Sequence, residues 1–276
     1  FSVDEVYPET VLCDGPMNLD RYSRQMLFSP LGGQGQRKLL SLKVSLLGCG
    51  ALGSSMANLL VRAGIGRLCL IDRDTVELSN LQRQTLFDEE DVRKRRPKAI
   101  AARDRLAQIN SEVEIDPQVV DVTPENIESL LLDTDIILDA TDNFETRFLI
   151  NDTSLNHSIP WVYGGCVRSE GAVMPVVPGR SACLRCLMPE PPEPGSTPTA
   201  ETAGVLSPVV QTTAAFQVCE AIKILIGSWG DVIFQMRYFD LWKGTIQTID
   251  TGLSRKRPDC PACALHRFDF LESEIT

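Results

Sequence analysis

The sequence predicts an α/β fold: a Rossmann-like, mixed and mainly parallel sheet flanked by helices, with a site formed by four cysteines. Two observations favour this fold. An apolar strand, a glycine loop, a helix and a second strand follow one another, and further apolar strands alternate with helices beyond them. The chain of 276 residues is within the range of one large α/β domain. We therefore expect an N-terminal extension over residues 1–19 and a single domain over residues 20–276.

In the first half of the chain, apolar runs and helical spacing predict the elements in order. Lys43–Leu47 is a buried parallel strand that ends at the glycine loop, and a helix over Ser54–Ala63 leads to the second strand, Arg67–Asp72. A strand within Val113–Val122 and a third buried strand over Asp135–Asp142 complete this half. Further helices are expected over residues 97–110 and 127–132.

The second half is expected to finish the sheet with strands that are in part antiparallel. A long apolar helix is predicted over Val205–Ile226, buried on most faces. Five prolines within residues 187–203 predict an exposed, extended loop with little regular structure. This segment is either a plain linker or a crossover loop that lies over the tail of a partner. The predicted strands are Trp161–Tyr163, Ala172–Val177, Val232–Asp240 and Thr245–Thr251.

Charge and composition argue against several classes of function. The formal net charge is −10, which disfavours nucleic acid as the main partner, because phosphate binding needs a basic surface. No apolar run is expected to span a bilayer and no signal pattern is recognised, so we expect a cytoplasmic protein with no membrane partner. The basic run Arg93–Lys98 is interpreted as surface charge, except that Lys98 would supply positive potential beside a triphosphate.

Four of the nine cysteines form two Cys-x-x-Cys pairs. One pair alone could be redox-active, whereas two pairs in a reducing compartment are typical of a tetrahedral structural Zn²⁺ site. The expected ligands are Cys183, Cys186, Cys260 and Cys263, which would join two distant parts of the domain. The other cysteines are expected to be buried, inert thiols.

The glycine loop and the polar residues behind it indicate the ligand. Gly48, Gly50 and Gly53 open a helix, where a nucleotide phosphate can approach the backbone. A dehydrogenase needs one acid after its second strand, but residues 72–84 supply further acidic and amide side chains and an arginine. These are too many phosphate and metal partners for a hydride-transfer cofactor, so the segment predicts a site that binds ATP. Asp142 ends another strand and should converge on the same crevice.

Several motifs together resemble those of one enzyme group. They are Arg21–Gln25, the Gly48–Gly53 loop, Ser79–Gln84, Pro97-Lys98, Ala140–Asn143, the two cysteine pairs and Thr202–Val205. In this order they resemble the bacterial sulfur-carrier adenylyltransferases, the MoeB/ThiF/HesA group related to ubiquitin-activating enzymes, over Arg21–Cys263. The resemblance implies that the C-terminal carboxylate of a small ubiquitin-like sulfur-carrier protein ending in Gly-Gly attacks the α-phosphorus of ATP. The products would be an acyl-adenylate and pyrophosphate, for molybdopterin, thiamine or thiolation pathways.

The resemblance also implies a role for each residue of the site. Asp142 would bind Mg²⁺ beside the α-phosphate, and Arg24 would reach the triphosphate of the other subunit in a homodimer. Asp72 lies about 20 residues beyond the glycine loop, the usual interval for an acid that holds the ribose hydroxyls. The implied nucleotide ligands are Gly48, Gly50, Gly53, Asp72, Asp74, Asn80, Arg83, Gln84, Lys98, Asp142 and Asn143. The implied catalytic residues are Asp142, Arg83, Lys98 and Arg24.

Simpler interpretations stay open for some of these residues. Asp74 could form only a local salt bridge, Gln84 could only support its loop, and Asn143 could only cap the next helix. Arg147 is a further, weaker candidate for the site, and it could be only a surface cation. Ala200 is a departure, since many relatives carry a cysteine there that can form a persulfide or a thioester. Either the reaction stops at the adenylate, or the residue has been exchanged by engineering.

Three other functions are left open by the sequence. A nicotinamide-dependent oxidoreductase would explain the glycine loop and Asp72 alone. A non-catalytic scaffold that binds a ubiquitin-like protein would be consistent with Ala200, and a related activating enzyme could act on a tRNA base or a peptide. ATP–pyrophosphate exchange without NAD binding separates the first of these from adenylation.

Overall fold

The computed structural model describes residues 19–193, 195–249 and 257–272, so most of the predicted extension, residues 1–18, lies outside the described residues. The strands are β1 (Lys43–Leu47), β2 (Arg67–Ile71), β3 (Glu114–Gln118), β4 (Ile136–Asp139), β5 (Trp161–Val167), β6 (Glu170–Val176), β7 (Met236–Asp240) and β8 (Thr245–Ile249). Within the described part they form one sheet in the order β3-β2-β1-β4-β5-β6-β7-β8. Pairing is parallel from β3 to β5 and antiparallel from β5 to β8, which confirms the mixed sheet.

Helices connect and cover these strands. They are α1 (Ser23–Met26), α2 (Gly32–Leu39), α3 (Ala51–Ala63), α4 (Glu89–Arg93), α5 (Lys98–Ile109), α6 (Ile127–Leu131), α7 (Phe144–His157), α8 (Leu184–Leu187), α9 (Ala200–Ala203) and α10 (Ser207–Ile226). Two short 3₁₀ helices span Leu19–Tyr22 and Leu78–Asn80. Helix α3 follows the glycine loop and ends at Gly64, whose φ of +80° is the left-handed conformation that glycine favours at a helix C-terminus.

The sheet order changes direction between β1 and β4. Strand β1 pairs with β2 on one side and with β4 on the other, and Leu47 lies opposite both Ile71 and Asp139. The glycine loop follows β1, and the segments that carry Asp72 and Asp142 follow β2 and β4. In open α/β sheets the ligand crevice lies at such a switch point, outside the carboxyl ends of the strands. The topology therefore brings these three segments to one edge of the sheet.

Two hydrophobic clusters cover the two faces of the sheet. Val44 and Leu46 of β1 belong to the cluster around α3, α5 and α10, whereas Leu47 belongs to the cluster around α7 and the paired cysteines. Strand β2 divides in the same way, with Leu70 in the first cluster and Ile71 in the second. Successive side chains of a strand point to opposite faces, so both faces of β1 and β2 are buried.

The prediction that no apolar run could span a bilayer is wrong by length alone, because helix α10 is an apolar run of that length. It has 20 residues and a mean hydropathy of 1.4 over its most apolar window, so by length and composition alone it is a candidate span. In the fold, α10 packs against α3 and against strands β5 and β6. Its buried residues include Val210, Ala214 and Ala221, so its apolar composition is explained by its place in the core.

The segment 187–203 is irregular as predicted over residues 188–193 and 195–199, but its end is helical. Helix α9 begins after Thr199, whose Oγ1 accepts a hydrogen bond from the backbone N of Thr202 at 3.2 Å. The prediction that α10 begins at Val205 is wrong, because the helix begins at Ser207. Val205 instead forms a β-bridge with Arg168. The backbone of Arg168 also bonds to residues 204 and 206 on either side of that bridge, which fixes the end of the segment against the β5–β6 turn.

Candidate active site

The glycine loop joins β1 to α3, and its three glycines serve different needs. Gly48 has a φ of +94°, and a Cβ there would lie 2.6 Å from the carbonyl oxygen of Ala140. A Cβ on Gly53 would lie 2.0 Å from the carbonyl oxygen of Gly48. At Gly50 the nearest neighbour of such a Cβ is Nε2 of Gln84 at 3.7 Å, an ordinary contact distance. Packing within the chain explains Gly48 and Gly53, whereas Gly50 leaves the open side of the loop clear for a ligand.

Asp72 lies directly beside this loop. Its Oδ2 accepts a hydrogen bond from the backbone N of Cys49 at 2.6 Å, and its Oδ1 accepts one from the backbone N of Asp74 at 2.7 Å. Burial raises the pKa of the Asp72 carboxyl above its ordinary value, although Lys98 and the two backbone N–H groups act in the opposite direction. Each carboxylate oxygen keeps a further lone pair, with which it can accept a hydrogen bond from a ribose hydroxyl.

Lys98 is held in the crevice by two contacts with Asp74. The backbone N of Lys98 donates to the carbonyl oxygen of Asp74 at 2.8 Å, and its Nζ lies 2.8 Å from Oδ2 of the same residue. A β-bridge between Thr75 and Pro97 brings the two segments together. Lys98 is buried, whereas Arg93–Arg95 of the same basic run are exposed. The local salt bridge of Asp74 is therefore present, and it places a buried cation beside Asp72.

Asn80 and Arg83 shape the polar segment that follows β2. Asn80 is buried, and its Oδ1 accepts a hydrogen bond from the backbone N of Glu77 at 3.1 Å. Nη1 of Arg83 donates to the carbonyl oxygen of Ser79 at 2.8 Å. These bonds leave the other guanidinium nitrogens of Arg83 available to a phosphate.

The side-chain amide of Gln84 lies beside the glycine loop. Its side chain is buried, and its Oε1 has no hydrogen-bond partner in the described part of the chain. A buried acceptor without a partner carries a free-energy cost. Because the same amide group lies beside Gly50, a donor of a bound ligand at this point would remove that cost.

Asp142 and Asn143 lie in the turn between β4 and α7. Oδ1 of Asn143 accepts a hydrogen bond from the backbone N of Thr146 at 2.8 Å, so Asn143 is the N-cap of α7. The capping interpretation of Asn143 is therefore correct, and the amide nitrogen stays available. Asp142 is exposed, and its carboxylate forms no hydrogen bond or ion pair with any described residue. Carboxylates in such positions are typical ligands of Mg²⁺.

Arg147 is buried, which contradicts its interpretation as a surface cation. Its Nε donates to Oδ2 of Asp139 at 3.0 Å. Its Nη2 donates to the carbonyl oxygen of Thr141 at 2.7 Å and to that of Gly164 at 3.1 Å. Arg147 is only 7% exposed and Asp139 is fully buried, so the pair lies beneath the turn that carries Asp142.

Arg24 lies apart from these residues, on the short helix α1. It is exposed and forms no hydrogen bond or ion pair with the described residues. The segment itself is fixed to the domain, because the hydroxyl of Tyr22 accepts a hydrogen bond from Nδ2 of Asn110 at 2.9 Å. Leu27 and Phe28, which follow α1, are also exposed. A free cation beside exposed apolar side chains is typical of a contact surface.

Four buried thiols form a second candidate site. The Sγ atoms of Cys183, Cys186, Cys260 and Cys263 all lie within 4.8 Å of one another. Three of their separations are 3.8, 3.5 and 3.3 Å. A tetrahedral ion with Zn–S bonds of about 2.3 Å requires sulfur–sulfur distances of about 3.8 Å, so the four thiols fit Zn²⁺. Four sulfur ligands leave no position for water, which is the arrangement of a structural site rather than a catalytic one.

Comparison with known proteins identifies the family. The sequence matches the ThiF family over residues 22–262. The chain belongs to the ThiF family. The sulfur carrier protein ThiS adenylyltransferase of Bacillus subtilis is 48% identical over 254 residues, which are 92% of this chain and 74% of that protein. The SAMP-activating enzyme E1 of Haloferax volcanii is 37% identical over 254 residues, 92% of each chain. The crystal structure of E. coli MccB with ATP matches with a TM-score of 0.77 at 25% identity, covering 89% of this chain and 75% of MccB.

In this ThiF-family chain the crevice combines cations with an open carboxylate. Lys98 and Arg83 can offset the charge of a triphosphate, and Asp142 can hold its metal ion. Cys166 lies nearby, but burial raises the pKa of its thiol to about 11, although Arg147 and Arg83 act to lower it. This shift disfavours the reactive thiolate form of Cys166, although the residue is half-buried and not fully buried as expected.

Sequence patterns missed two features of this region. The burial of Arg147 could have been suspected from its place four residues after the helix cap Asn143, one turn into α7, where a long side chain can reach back to the strand end. Cys219 is exposed on α10, contrary to the prediction that the remaining thiols are buried. Cys49 and Cys69 are buried as predicted, and Cys13 lies outside the described residues.

Proposed function

We propose that this chain uses ATP to adenylate the C-terminal glycine of a small ubiquitin-like sulfur-carrier protein ending in Gly-Gly, with release of pyrophosphate. Its relatives support a nucleotidyltransferase, since one is named a ThiS adenylyltransferase and another a SAMP-activating enzyme. The observation that supports the proposal most is the convergence of the glycine loop, Asp72, Lys98 and Asp142 at one sheet edge. Residues 20–276 would then be one ATP-binding domain.

The nucleotide would lie along the glycine loop. Gly50 would let the phosphates approach the backbone, and Asp72 would accept hydrogen bonds from the ribose hydroxyls. The open amide of Gln84 beside Gly50 would accept a further donor of the nucleotide. The remaining proposed contacts of the nucleotide are Gly48, Gly53, Asp74, Asn80, Arg83, Lys98 and Asn143.

The reaction needs little covalent participation by the protein. A carboxylate must approach a polyanionic triphosphate, so the chain must place the two reactants and offset their repulsion. Lys98 and Arg83 would supply positive charge at the phosphates, and Asp142 would hold Mg²⁺, which polarises the α-phosphoryl group when bound. The carboxylate oxygen forms a bond to the α-phosphorus, and the bond to the pyrophosphate oxygen breaks.

A second subunit would complete the site. Arg24 is an unpaired, exposed cation on a segment fixed to its own domain, so it is free to serve the triphosphate of the other subunit in a homodimer. The irregular residues of the crossover loop 187–203 lie ahead of helix α9 and have the open, proline-rich chain that could cover a carrier's tail. The four thiols would hold Zn²⁺ as a structural ion.

The protein is proposed to act in the cytoplasm, with neither nucleic acid nor a membrane as partner. A peptide substrate, which the sequence leaves open, is the second candidate, and the solved structure of E. coli MccB with MccA-N7isoASN matches this fold with a TM-score of 0.78 at 25% identity. Membership of the ThiF family leaves the nicotinamide-dependent oxidoreductase without support.

Isotope exchange between ATP and pyrophosphate tests the proposal. Exchange should require a carrier with an intact Gly-Gly end, and removal of its last glycine should abolish the exchange. A tRNA and NAD serve as negative controls, and a short peptide with a free C-terminal carboxylate tests the second candidate. Exchange with the peptide and none with any Gly-Gly carrier would contradict the proposed substrate.

A further inference from the structure

We propose that, in the reaction proposed above and dependent on it, Arg147 is a positioning residue that fixes the direction in which Asp142 points. Arg147 touches neither the nucleotide nor the carrier in this role. It acts through the turn between β4 and α7, whose conformation it sets. The turn carries the carboxylate that is proposed to hold Mg²⁺.

The guanidinium of Arg147 joins three separate pieces of chain. It contacts Asp139 at the end of β4, Thr141 in the turn, and Gly164 in the neighbouring strand β5. Three of its five N–H groups are used in these bonds, and each bond runs to a buried or half-buried acceptor. The turn is thereby tied to the central sheet and not only to its own helix.

The bond to Thr141 is the one that reaches Asp142. The carbonyl oxygen of Thr141, held by Nη2 of Arg147 at 2.7 Å, belongs to the peptide unit that ends at the N and Cα atoms of Asp142. A peptide unit is planar, so a hydrogen bond that holds its oxygen also fixes the orientation of the next Cα atom. The direction of the Asp142 side chain therefore depends on this bond.

Asp139 provides a rigid base for the turn. Its Oδ1 accepts hydrogen bonds from the backbone N of Thr141 at 2.9 Å and from Oγ1 of Thr141 at 2.7 Å, while Oδ2 binds Arg147. Its carbonyl oxygen accepts a hydrogen bond from Nε2 of Gln217 at 2.7 Å. Both carboxylate oxygens and the carbonyl oxygen are thus occupied, and these bonds hold the turn in its observed conformation.

Lysine cannot replace this guanidinium. Cζ of Arg147 lies 5.2 Å from the ring centroid of Phe144 and 5.1 Å from that of Tyr163, so the planar group is in cation–π contact with two aromatic rings. Its planar fork sends parallel N–H groups to Asp139 and Thr141, whereas an ammonium group is a compact point charge. Arg147→Lys keeps the charge and removes the geometry, which makes it the informative variant.

Arg237 offers a matched control. It is also mostly buried, with its Nη2 3.3 Å from Oε1 of Glu220 and its Cζ 4.3 Å from the ring centroid of Phe216. Its pairing resembles that of Arg147 but holds strand β7 and not the Asp142 turn. Arg237→Lys therefore tests what the loss of a buried arginine does to stability alone.

The experiment measures metal binding directly. Mn²⁺ is titrated into the full chain with a non-hydrolysable ATP analogue, and the electron paramagnetic resonance signal of free Mn²⁺ gives its affinity. We expect Arg147→Lys to weaken Mn²⁺ binding about tenfold and to lower the exchange rate about 100-fold. Nucleotide affinity without metal should stay unchanged. Thr141→Val, which removes the Oγ1 bond to Asp139 and leaves Arg147 in place, should shift Mn²⁺ affinity in the same direction but less.

The outcomes separate the two proposals. Arg237→Lys should lower the thermal unfolding temperature and leave Mn²⁺ affinity unchanged. Arg147→Lys in an Asp142→Ala background should have no further effect on Mn²⁺ affinity.

If Arg147→Lys and Thr141→Val both bind Mn²⁺ as wild type does, Arg147 is not a positioning residue. Should Arg147→Lys fail to fold, Thr141→Val decides alone. A wild-type chain that binds Mn²⁺ and the analogue but shows no exchange with any carrier would refute the proposed function instead.

Discussion

Gly53 and Gly48 approach so closely that a Cβ added to Gly53 would lie 2.0 Å from the carbonyl oxygen of Gly48. Within the described part of the chain Gly50 has no such neighbour, since the nearest atom to an added Cβ there is 3.7 Å away. The loop is thus folded tightly by two of its glycines and kept open on one side by the third. Gly48 and Gly53 thus meet a requirement of the fold, whereas Gly50 meets a requirement of ligand binding.

Alanine substitutions at Gly53 and Gly50 should separate the structural requirement from the binding requirement. Gly53→Ala should lower the free energy of unfolding by about 1–3 kcal/mol, because backbone must move to relieve the overlap. Gly50→Ala should leave the thermal unfolding temperature close to that of wild type and weaken ATP binding at least about tenfold, because the methyl group occupies the phosphates' side of the loop. Calorimetry of both variants, with and without ATP, checks this; the reverse pattern would contradict the assignment of Gly50 to the nucleotide.

Much of the fold follows from the sequence, since β1, β2 and β4 are mainly apolar runs bounded by polar residues, although the edge strand β3 is largely polar. β1 and β2 were predicted to within one residue for that reason. The helical end of the crossover loop was not predicted, because its helix α9 is only four residues long and depends on the side chain of Thr199. For the burial of Arg147 the sequence offers only its place one turn into α7, because an arginine is polar by type and becomes a core residue only through its partners in other elements.

The four thiols should bind one Zn²⁺ per chain and stabilise the fold. Cys183→Ser removes one thiolate from a closed site, so we expect loss of the metal and a markedly lower unfolding temperature. Cys219→Ser is the matched control, because Cys219 is exposed and distant in sequence from both pairs; its effect should stay within about 0.5 kcal/mol. Elemental analysis and thermal unfolding measure both. A stable wild-type chain without metal would refute the zinc site.

The active unit should share its two sites between subunits. Arg24→Ala and Asp142→Ala should each be inactive alone, yet mixed dimers would contain one site with both residues intact. Statistical exchange of subunits at equal amounts should restore about a quarter of the wild-type sites. Mixing Lys98→Ala with Asp142→Ala is the control, because both residues lie in the same crevice and no intact site can form. Equal recovery in both mixtures, or none in either, would argue against the role of Arg24 across the dimer.

The chain should not link covalently to its carrier through the crossover loop. Ala200 begins helix α9, and a methyl group forms neither a thioester nor a persulfide. We expect the adenylate to form without any reducible enzyme–carrier adduct, and Ala200→Cys to introduce such an adduct if the loop lies over the carrier's tail. Mass spectrometry with and without reductant detects it. An adduct of the wild-type chain at Cys219, its exposed thiol, or at Cys166 would contradict the prediction.

The mass of the carrier protein after incubation with the chain and Mg·ATP tests the central claim most directly. Wild type should convert the carrier to a species heavier by one adenylyl group at its C-terminal glycine. Asp142→Ala should form it at least about 1,000-fold more slowly, because the carboxylate that would hold the metal is lost, whereas Glu145→Ala, an exposed acid on the next turn, should react as wild type does. A carrier that gains no adenylyl group with wild type, or gains it equally fast with Asp142→Ala, would contradict the account.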